Sequence, residues 1–358
     1  MEQEQFHRFL VGALKLGASD IHLKVGSPPV YRIQRELRTV KGDRLSSQDT
    51  RDMAEIILRK VVAKESVDKL KDFDTSYSLP GKCRFRVNVY RQRGTIALAI
   101  RAIPDEIPTF EKLLLPSGVE DLATYERGLV LVTGATGSGK SSTLAAIVNH
   151  INKSRAAHVV TIEDPIEFLH KDMRAAVSQR EVGADTSDFN RALRAALRQD
   201  PDVILVGEMR DLETIDIALK AAETGHMVYS TVHTTDATKT VGRLIGVFPA
   251  EEQDIVRIRL AENLRATISQ RLLPRADGKG MIVAVELMKV TGIVEDAIKN
   301  PEETALLKDY IERSRQQYGM ISFDQSLTDL YEKRLISFDV ARRNATSPGD
   351  FERALHFE

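Results

Sequence analysis

Cysteine is nearly absent from this sequence: Cys83 is the single thiol among 358 residues. That excludes an intramolecular disulfide framework and any four-cysteine zinc site, and it suits a reducing compartment. Charge of one sign is lacking too. Lys+Arg number 51 against 52 Asp+Glu, a formal net charge of −1. No global basic bias points to nucleic acid or an anionic membrane as the main partner. Long hydrophobic runs are missing as well, since no apolar stretch approaches the ~20 residues that cross a bilayer. The opening Met1-Glu-Gln-Glu-Gln5 is acidic and has no signal-peptide core. These absences predict a cytoplasmic protein that reaches any membrane through partners, without direct insertion.

What is present is concentrated in eight residues. Gly134-Ala-Thr-Gly-Ser-Gly-Lys-Ser141 spells G-x-x-x-x-G-K-S, the loop that wraps a nucleotide's phosphates. Its glycines, Gly134, Gly137 and Gly139, let successive backbone N–H groups turn inward around an anion without Cβ clashes. Thr136, Ser138 and Ser142 complete the wrapping. Lys140 brings positive charge to the β/γ-phosphates, and the Ser141 hydroxyl suits Mg²⁺. The flanks agree with this reading. Gly128–Thr133 is a short apolar run ending at the loop, as a buried parallel strand would be. Residues 142–152 follow helical spacing, with Leu144, Ile147, Val148 and Ile151 on one face. A nucleoside triphosphate is expected here.

Upstream, residues 1–103 read as a small α+β module. Phe6, Leu10, Ala13 and Leu14 form the stripe of a first helix, and Asp20–Val25 alternates as a half-buried strand. Pro28-Pro29 marks a turn before a strand pair that includes Val30, Arg32 and Leu37. Ser47 or Asp49 is placed to cap a helix bearing Met53, Ile56, Ile57 and Val61. Residues 85–90 and 96–101 alternate around Arg93-Gly94 as the two arms of a hairpin. If they pair about that turn, partner numbers sum to 187, which sets Arg86 opposite Arg101. Like charges directly opposed across strands are destabilising, so the pair suggests a shared anion.

Pro104 to Pro108 lies in a predicted linker, 104–112, because prolines at that spacing oppose helix and supply no ladder donors. Beyond it, strands are predicted at 129–133, 158–162, 203–206, 227–232 and 282–287. Helices are predicted at 142–152, 188–199, 212–224 and 251–269. That alternation predicts a parallel sheet with helices on both faces and chemistry at the strands' carboxyl ends. From about 291 the chain is helical, with a helix on Leu306, Leu307, Tyr310 and Ile311 ending before Gly319. A capping box, Ser322-Phe-Asp-Gln325, opens another. Two predicted strand ends carry acids, Glu163 in Thr161-Ile-Glu-Asp-Pro-Ile-Glu-Phe168 and Glu208 in Val203-Ile-Leu-Val-Gly-Glu208. A phosphate-loop enzyme needs one group on Mg²⁺ and another to orient the attacking water. From the residues alone, either acid suits either role.

The loop, the I-E-D-P-I-E-F stretch, Leu197-Arg-Gln-Asp-Pro-Asp-Val-Ile-Leu-Val-Gly-Glu208 and Gly225-His-Met-Val-Tyr-Ser-Thr-Val-His-Thr-Thr235 together resemble the secretion/type IV pilus ATPase superfamily. Gly17-Ala-Ser-Asp-Ile-His-Leu23 and Tyr318-Gly-Met-Ile-Ser-Phe-Asp-Gln-Ser-Leu327 resemble its pilus retraction branch. That branch's A-I-R-N-L-I-R-E stretch is represented by Ala297-Ile-Lys-Asn-Pro-Glu-Glu-Thr304, and Arg35 precedes Glu36 where family members carry glycine in a turn. The resemblance implies a PAS-like α+β domain followed by a RecA-like α/β domain at 113–358. It implies Glu163 as base, Glu208 on the Mg²⁺ side, His226 and His233 as a histidine pair, and Arg86 and Arg101 as arginine fingers. It further implies ATP and Mg²⁺ as cofactors and a homohexamer that works on an inner-membrane pilus platform protein. Accessory or secretion motors of the same superfamily are the alternative. So is a nucleotide-regulated scaffold with little turnover, although a scaffold needs neither acid.

Overall fold

The computed structural model describes residues 2–33, 36–59, 67, 69–79, 81–103 and 106–357. Contacts divide the chain into two compact units. One comprises Met1–Glu106 with Pro165–Leu169 and Gly183–Asp185; the other comprises Ile107–Asp164, His170–Val182 and Thr186–Glu358.

The first unit runs α1 (Gln3–Lys15), β1 (Ala18–Lys24), β2 (Val30–Ile33), β3 (Glu36–Thr39), α2 (Ser47–Leu58), β4 (Asp72–Leu79), β5 (Cys83–Gln92) and β6 (Thr95–Ile103). Its strands form one antiparallel sheet in the order β3-β2-β1-β6-β5-β4. Period-two alternation decides which face is covered. Phe85, Val87 and Val89 of β5 and Leu98 and Ile100 of β6 are buried with Phe6 and Leu10 of α1 and Met53 and Ile57 of α2. The cap of α2 differs by one residue from expectation. Ser46 accepts from Asp49 N, and Asp49 accepts from Ser46 N, so Ser47 is the first helical residue. The serine one step earlier wins because only its spacing to Asp49 closes a capping box. Val61, Arg35 and Pro104 lie outside the described residues. The hairpin turns on Arg93 (φ 50°) and Gly94 (φ 78°). Positive φ at both central residues matches the twist of a two-residue hairpin, and the register sets Arg86 opposite Arg101 as the turn predicts.

The second unit contains α3 (Phe110–Leu113), α4 (Ser117–Glu120), β7 (Gly128–Gly134), α5 (Lys140–Ser154), β8 (His158–Glu163), β9 (Ala176–Glu181), α6 (Phe189–Ala196), β10 (Val203–Val206), α7 (Leu212–Glu223), β11 (Met227–Val232), α8 (Ala237–Ile245), α9 (Gln253–Asn263), β12 (Leu264–Pro274) and β13 (Met281–Lys289). The helices α10 (Gly292–Lys299), α11 (Leu307–Arg313), α12 (Arg315–Tyr318), α13 (Phe323–Glu332), α14 (Phe338–Asn344) and α15 (Pro348–Phe357) follow. The sheet order is β13-β12-β7-β11-β10-β8-β9, parallel apart from the β12–β13 pair. Apolar layers cover both faces, as continuous hydrophobic strands require. One holds Leu193, Ala218, Val241 and Leu260 from α6, α7, α8 and α9; the other holds Leu144, Ile147 and Ile151 from α5.

One predicted element is corrected. The helix expected at 251–269 stops at Asn263, and Leu264–Pro274 is strand β12. Val256, Leu260, Leu264 and Ile268 share a four-residue spacing that suits a helix. Pairing overrides it, because β12 is laddered to β7 on one side and β13 on the other. The capping box at Ser322 and Gln325 forms as expected, and Gly319 (φ 69°) ends the preceding helix in the left-handed conformation.

Tyr229, fully buried in β11, donates its hydroxyl to Leu122 O at 2.8 Å. Tyr229→Phe leaves that buried carbonyl with only the long 3.5 Å bond from Tyr125 N, a cost of about 1 kcal/mol. Urea unfolding should show a lower midpoint for the variant with an unchanged m-value.

Candidate active site

The phosphate loop is built by a buried strand and by glycines at positive φ, which residues with side chains rarely adopt. All seven residues of β7 are buried. A Cβ on Gly134 (φ 141°) would lie 2.5 Å from Ser138 Oγ and 2.6 Å from Gln270 O. Gly139 (φ 96°) is the N-cap of α5. The first turn of a helix leaves N–H groups without intrahelical partners and carries the positive end of its dipole; here that turn starts at Lys140, and Thr143 N closes it by donating to Gly139 O at 3.0 Å. Lys140 is 8% exposed, and its Nζ donates to Gly134 O at 2.9 Å and Ala135 O at 3.0 Å. Ser138 Oγ is buried with no hydrogen-bond partner among the described residues. A buried ammonium folded onto the loop's carbonyls, beside an orphan hydroxyl, fits a polyanion with several acceptor oxygens. Gln270 of β12 braces the base of α5 by donating to Thr143 Oγ1 at 2.6 Å.

The acids stand at the same edge of the sheet. Glu163 ends β8, where Thr161 Oγ1 and Gln179 Nε2 donate to its Oε1 at 2.7 Å and 3.0 Å. Gln179 is itself oriented, since its Oε1 accepts from His170 N at 2.8 Å. Glu208 lies two residues past β10. Arg210 is 2.8 Å from its Oε2, and His233 Nε2, just past β11, is 3.6 Å from the same oxygen. Thr231 Oγ1 donates to Gly207 O at 2.7 Å and Met209 N donates to Thr231 O at 3.0 Å, so the Glu208 turn is stitched to β11. With strands ~4.8 Å apart, β7 and β10 are about 10 Å apart, and β11, which delivers His233, fills the gap.

His226 is the site residue that the structure places elsewhere. It precedes β11 whereas His233 follows it. Seven residues of extended chain, at ~3.3 Å each, put more than 20 Å between them. His226 Nδ1 bonds Ala221 O at 2.9 Å in the turn after α7, and the residue lines a polar cleft with Glu126, Arg155 and Asp202 at the amino ends of the strands. In the other unit, Arg101 Nε donates to Asp20 Oδ1 at 2.7 Å while keeping 69% of its side chain exposed; Arg86 is exposed beside it. The Thr161, Gln179, Arg210 and Gln270 contacts were not expected from the sequence. Thr161 sits two residues before Glu163 on a strand and so shares its face, which is the one signal available.

A phosphate loop between a buried strand and a helix, with carboxylates on the neighbouring strand ends and a strand inserted between loop and acid, defines a P-loop ATPase with a RecA-like core. The chain belongs to the family described as Type II/IV secretion system protein, whose model matches residues 3–300. It is 42% identical to the Pseudomonas aeruginosa Type IV pilus retraction ATPase PilT over 342 residues, 96% of this chain and 98% of that protein. It is 38% identical to the Type IV pilus ATPase PilU of the same organism over 352 residues, 98% of this chain and 90% of that protein. Among solved structures it resembles that of the pilus retraction motor PilT with bound ADP, with a TM-score of 0.87 and 42% identity over 97% of this chain and 98% of that one.

Lys140→Ala should leave the fold intact and weaken ATP binding at least about tenfold, because the loop loses its side-chain cation at the phosphates. Titration calorimetry on the folded variant checks this. An unchanged affinity would contradict the assignment of the loop.

Proposed function

We propose that this chain is a homohexameric motor that hydrolyses ATP to drive retraction of a type IV pilus, acting at the cytoplasmic side of an inner-membrane platform protein. The observation that supports the reading most is the coincidence of the phosphate loop, Glu163 and Glu208 at one sheet edge with near full-length similarity to a retraction ATPase. No helix among the described residues is long and apolar enough to cross a membrane. On this reading the chain meets the membrane through its partner, and nucleic acid is not a substrate.

In the proposed reaction the loop from Gly134 to Ser142 holds the triphosphate, and Lys140 leaves the loop carbonyls for the phosphate oxygens. The Ser141 hydroxyl and the Glu208 carboxylate, the latter partly through water, are hard oxygen donors that suit Mg²⁺. When bound, that ion offsets phosphate charge. Glu163 orients the attacking water and accepts its proton on a carboxyl group already fixed by Thr161 and Gln179. His233, beside Glu208, senses the γ-phosphate. Arg86 and Arg101 act as fingers on charge developing at the γ-phosphate, a role worth about 10³–10⁵ in rate. His226, at the other end of β11, is left out of this machinery.

Glu163→Gln and Glu208→Gln should keep ATP bound while phosphate release falls at least about 10²-fold, the scale of losing a general base or its counterpart on the metal. Cells carrying Glu163→Gln in place of the native protein should bear pili that extend and do not retract. Retraction at the normal rate in those cells would contradict the motor role and leave an accessory one.

A further inference from the structure

Glu286 is a carboxyl group set inside an apolar strand. β13 reads Met281-Ile-Val-Ala-Val-Glu-Leu-Met-Lys289, and Glu286 is 5% exposed. It makes no ion pair among the described residues. It does have a backbone donor: Ala237 N, the first amide of α8, donates to Oε1 at 2.8 Å. Ala237 directly follows the segment His233–Asp236. The segment's other bonds to itself and to α8 are local, and His233 reaches Glu208 across 3.6 Å. Asp236 caps α8 by accepting from Lys239 N at 2.8 Å, and the hydroxyls of Thr234 and Thr240 bond at 2.7 Å. Glu286 adds a tie that comes from the sheet.

The sheet register carries the same residue toward the phosphate loop. Glu286 opposes Ser269 of β12, and Ser269 opposes Thr133 of β7. Directly opposed residues share a face, so a row of three polar side chains crosses about 10 Å of sheet and ends one residue before Gly134. Ser269 Oγ lies beside the carboxyl, yet neither it nor Thr133 Oγ1 completes a well-formed hydrogen bond among the described residues. Buried hydroxyls left in that state are costly.

We propose that Glu286 is a positioning residue of the nucleotide site, holding the head of α8 so that His233 is set against Glu208. The proposal rests on the ATPase reading above. An ionised Glu286 is the stronger holder, because a carboxylate accepts an N–H more tightly than a neutral acid and favours the positive end of α8. Burial, aided by Asp236 at the head of α8, raises its pKa to about 7; the Ala237 N–H, Ser269 and Arg271 of β12 act the other way. Arg271 is engaged elsewhere, on the Phe323 ring and Asn344 O. The other helices packed on β13, α11 and α13, bring apolar Leu307, Ile311, Phe323 and Leu327 to the core.

The raised pKa makes the effect readable. A carboxyl whose folded-state pKa exceeds its unfolded one contributes stability that is full below the ordinary carboxyl range and lost as pH rises through about 7. Glu286→Gln keeps the shape and one acceptor oxygen but cannot ionise. In the assembled full-length protein, kcat and KM for ATP are compared with wild type from pH 6 to 8.5, alongside thermal unfolding. The wild-type/variant kcat ratio should be near one at the acid end and rise to about fivefold through pH 7, with KM within about twofold. The variant's melting temperature should gain on wild type over the same range. A kcat ratio independent of pH would overturn the positioning role, even if the melting curves show Glu286 titrating. A melting difference independent of pH would overturn it as well, since Glu286 would then not change charge. A wild-type protein that hydrolyses no ATP would instead contradict the enzymatic reading itself, and the positioning role with it.

Discussion

The binding of a polyanion by backbone N–H groups is the constraint on which the rest of this structure depends. Such groups are available only where a ladder has ended and a helix has not yet closed its first bonds. Strand β7 and helix α5 create that place between Gly134 and Lys140, and the surrounding residues keep it in position. β7 is wholly buried between β11 and β12, and Gln270 ties the start of α5 back to β12. The loop has no room for a Cβ at Gly134. A rigid base lets the loop wrap a ligand at little reorganisation cost, which is the property phosphoryl-transfer catalysis exploits.

Strand order then determines which groups meet the phosphates. The chain leaves β7, crosses to β8, and returns to fill β10 and β11 between them. The acids therefore stand one and two strands beyond β11. Each is held by short contacts from its own neighbourhood: Thr161 and Gln179 for Glu163, Arg210 for Glu208.

Much of this was legible in the sequence because it rests on local rules. The loop's spelling, the apolar run before it and the amphipathic helix after it are set within thirty residues. The Arg86–Arg101 register follows from one turn, since Arg93-Gly94 is the point about which both arms must pair. What was missed depends on partners distant in sequence. Residues 264–269 satisfy helical spacing, and only the ladders from β7 and β13 make them strand. His226 and His233 look like a pair in one dimension and are separated by the full length of β11. Glu286 had a signal that passed unused: a charged residue within an apolar run has to find a partner when buried, and its partner, the amide of Ala237, lies 49 positions away.

The proposed motor function needs the arginines of the antiparallel sheet to act on a triphosphate held by a neighbouring subunit's loop. Steady-state phosphate release by mixed assemblies of Arg86→Ala and Lys140→Ala chains, verified by mass, tests it most directly. Each parent alone should be inactive. Mixing should restore part of the wild-type rate, because some interfaces then pair an intact arginine with an intact loop. Mixed assemblies as inactive as either parent would contradict action between subunits.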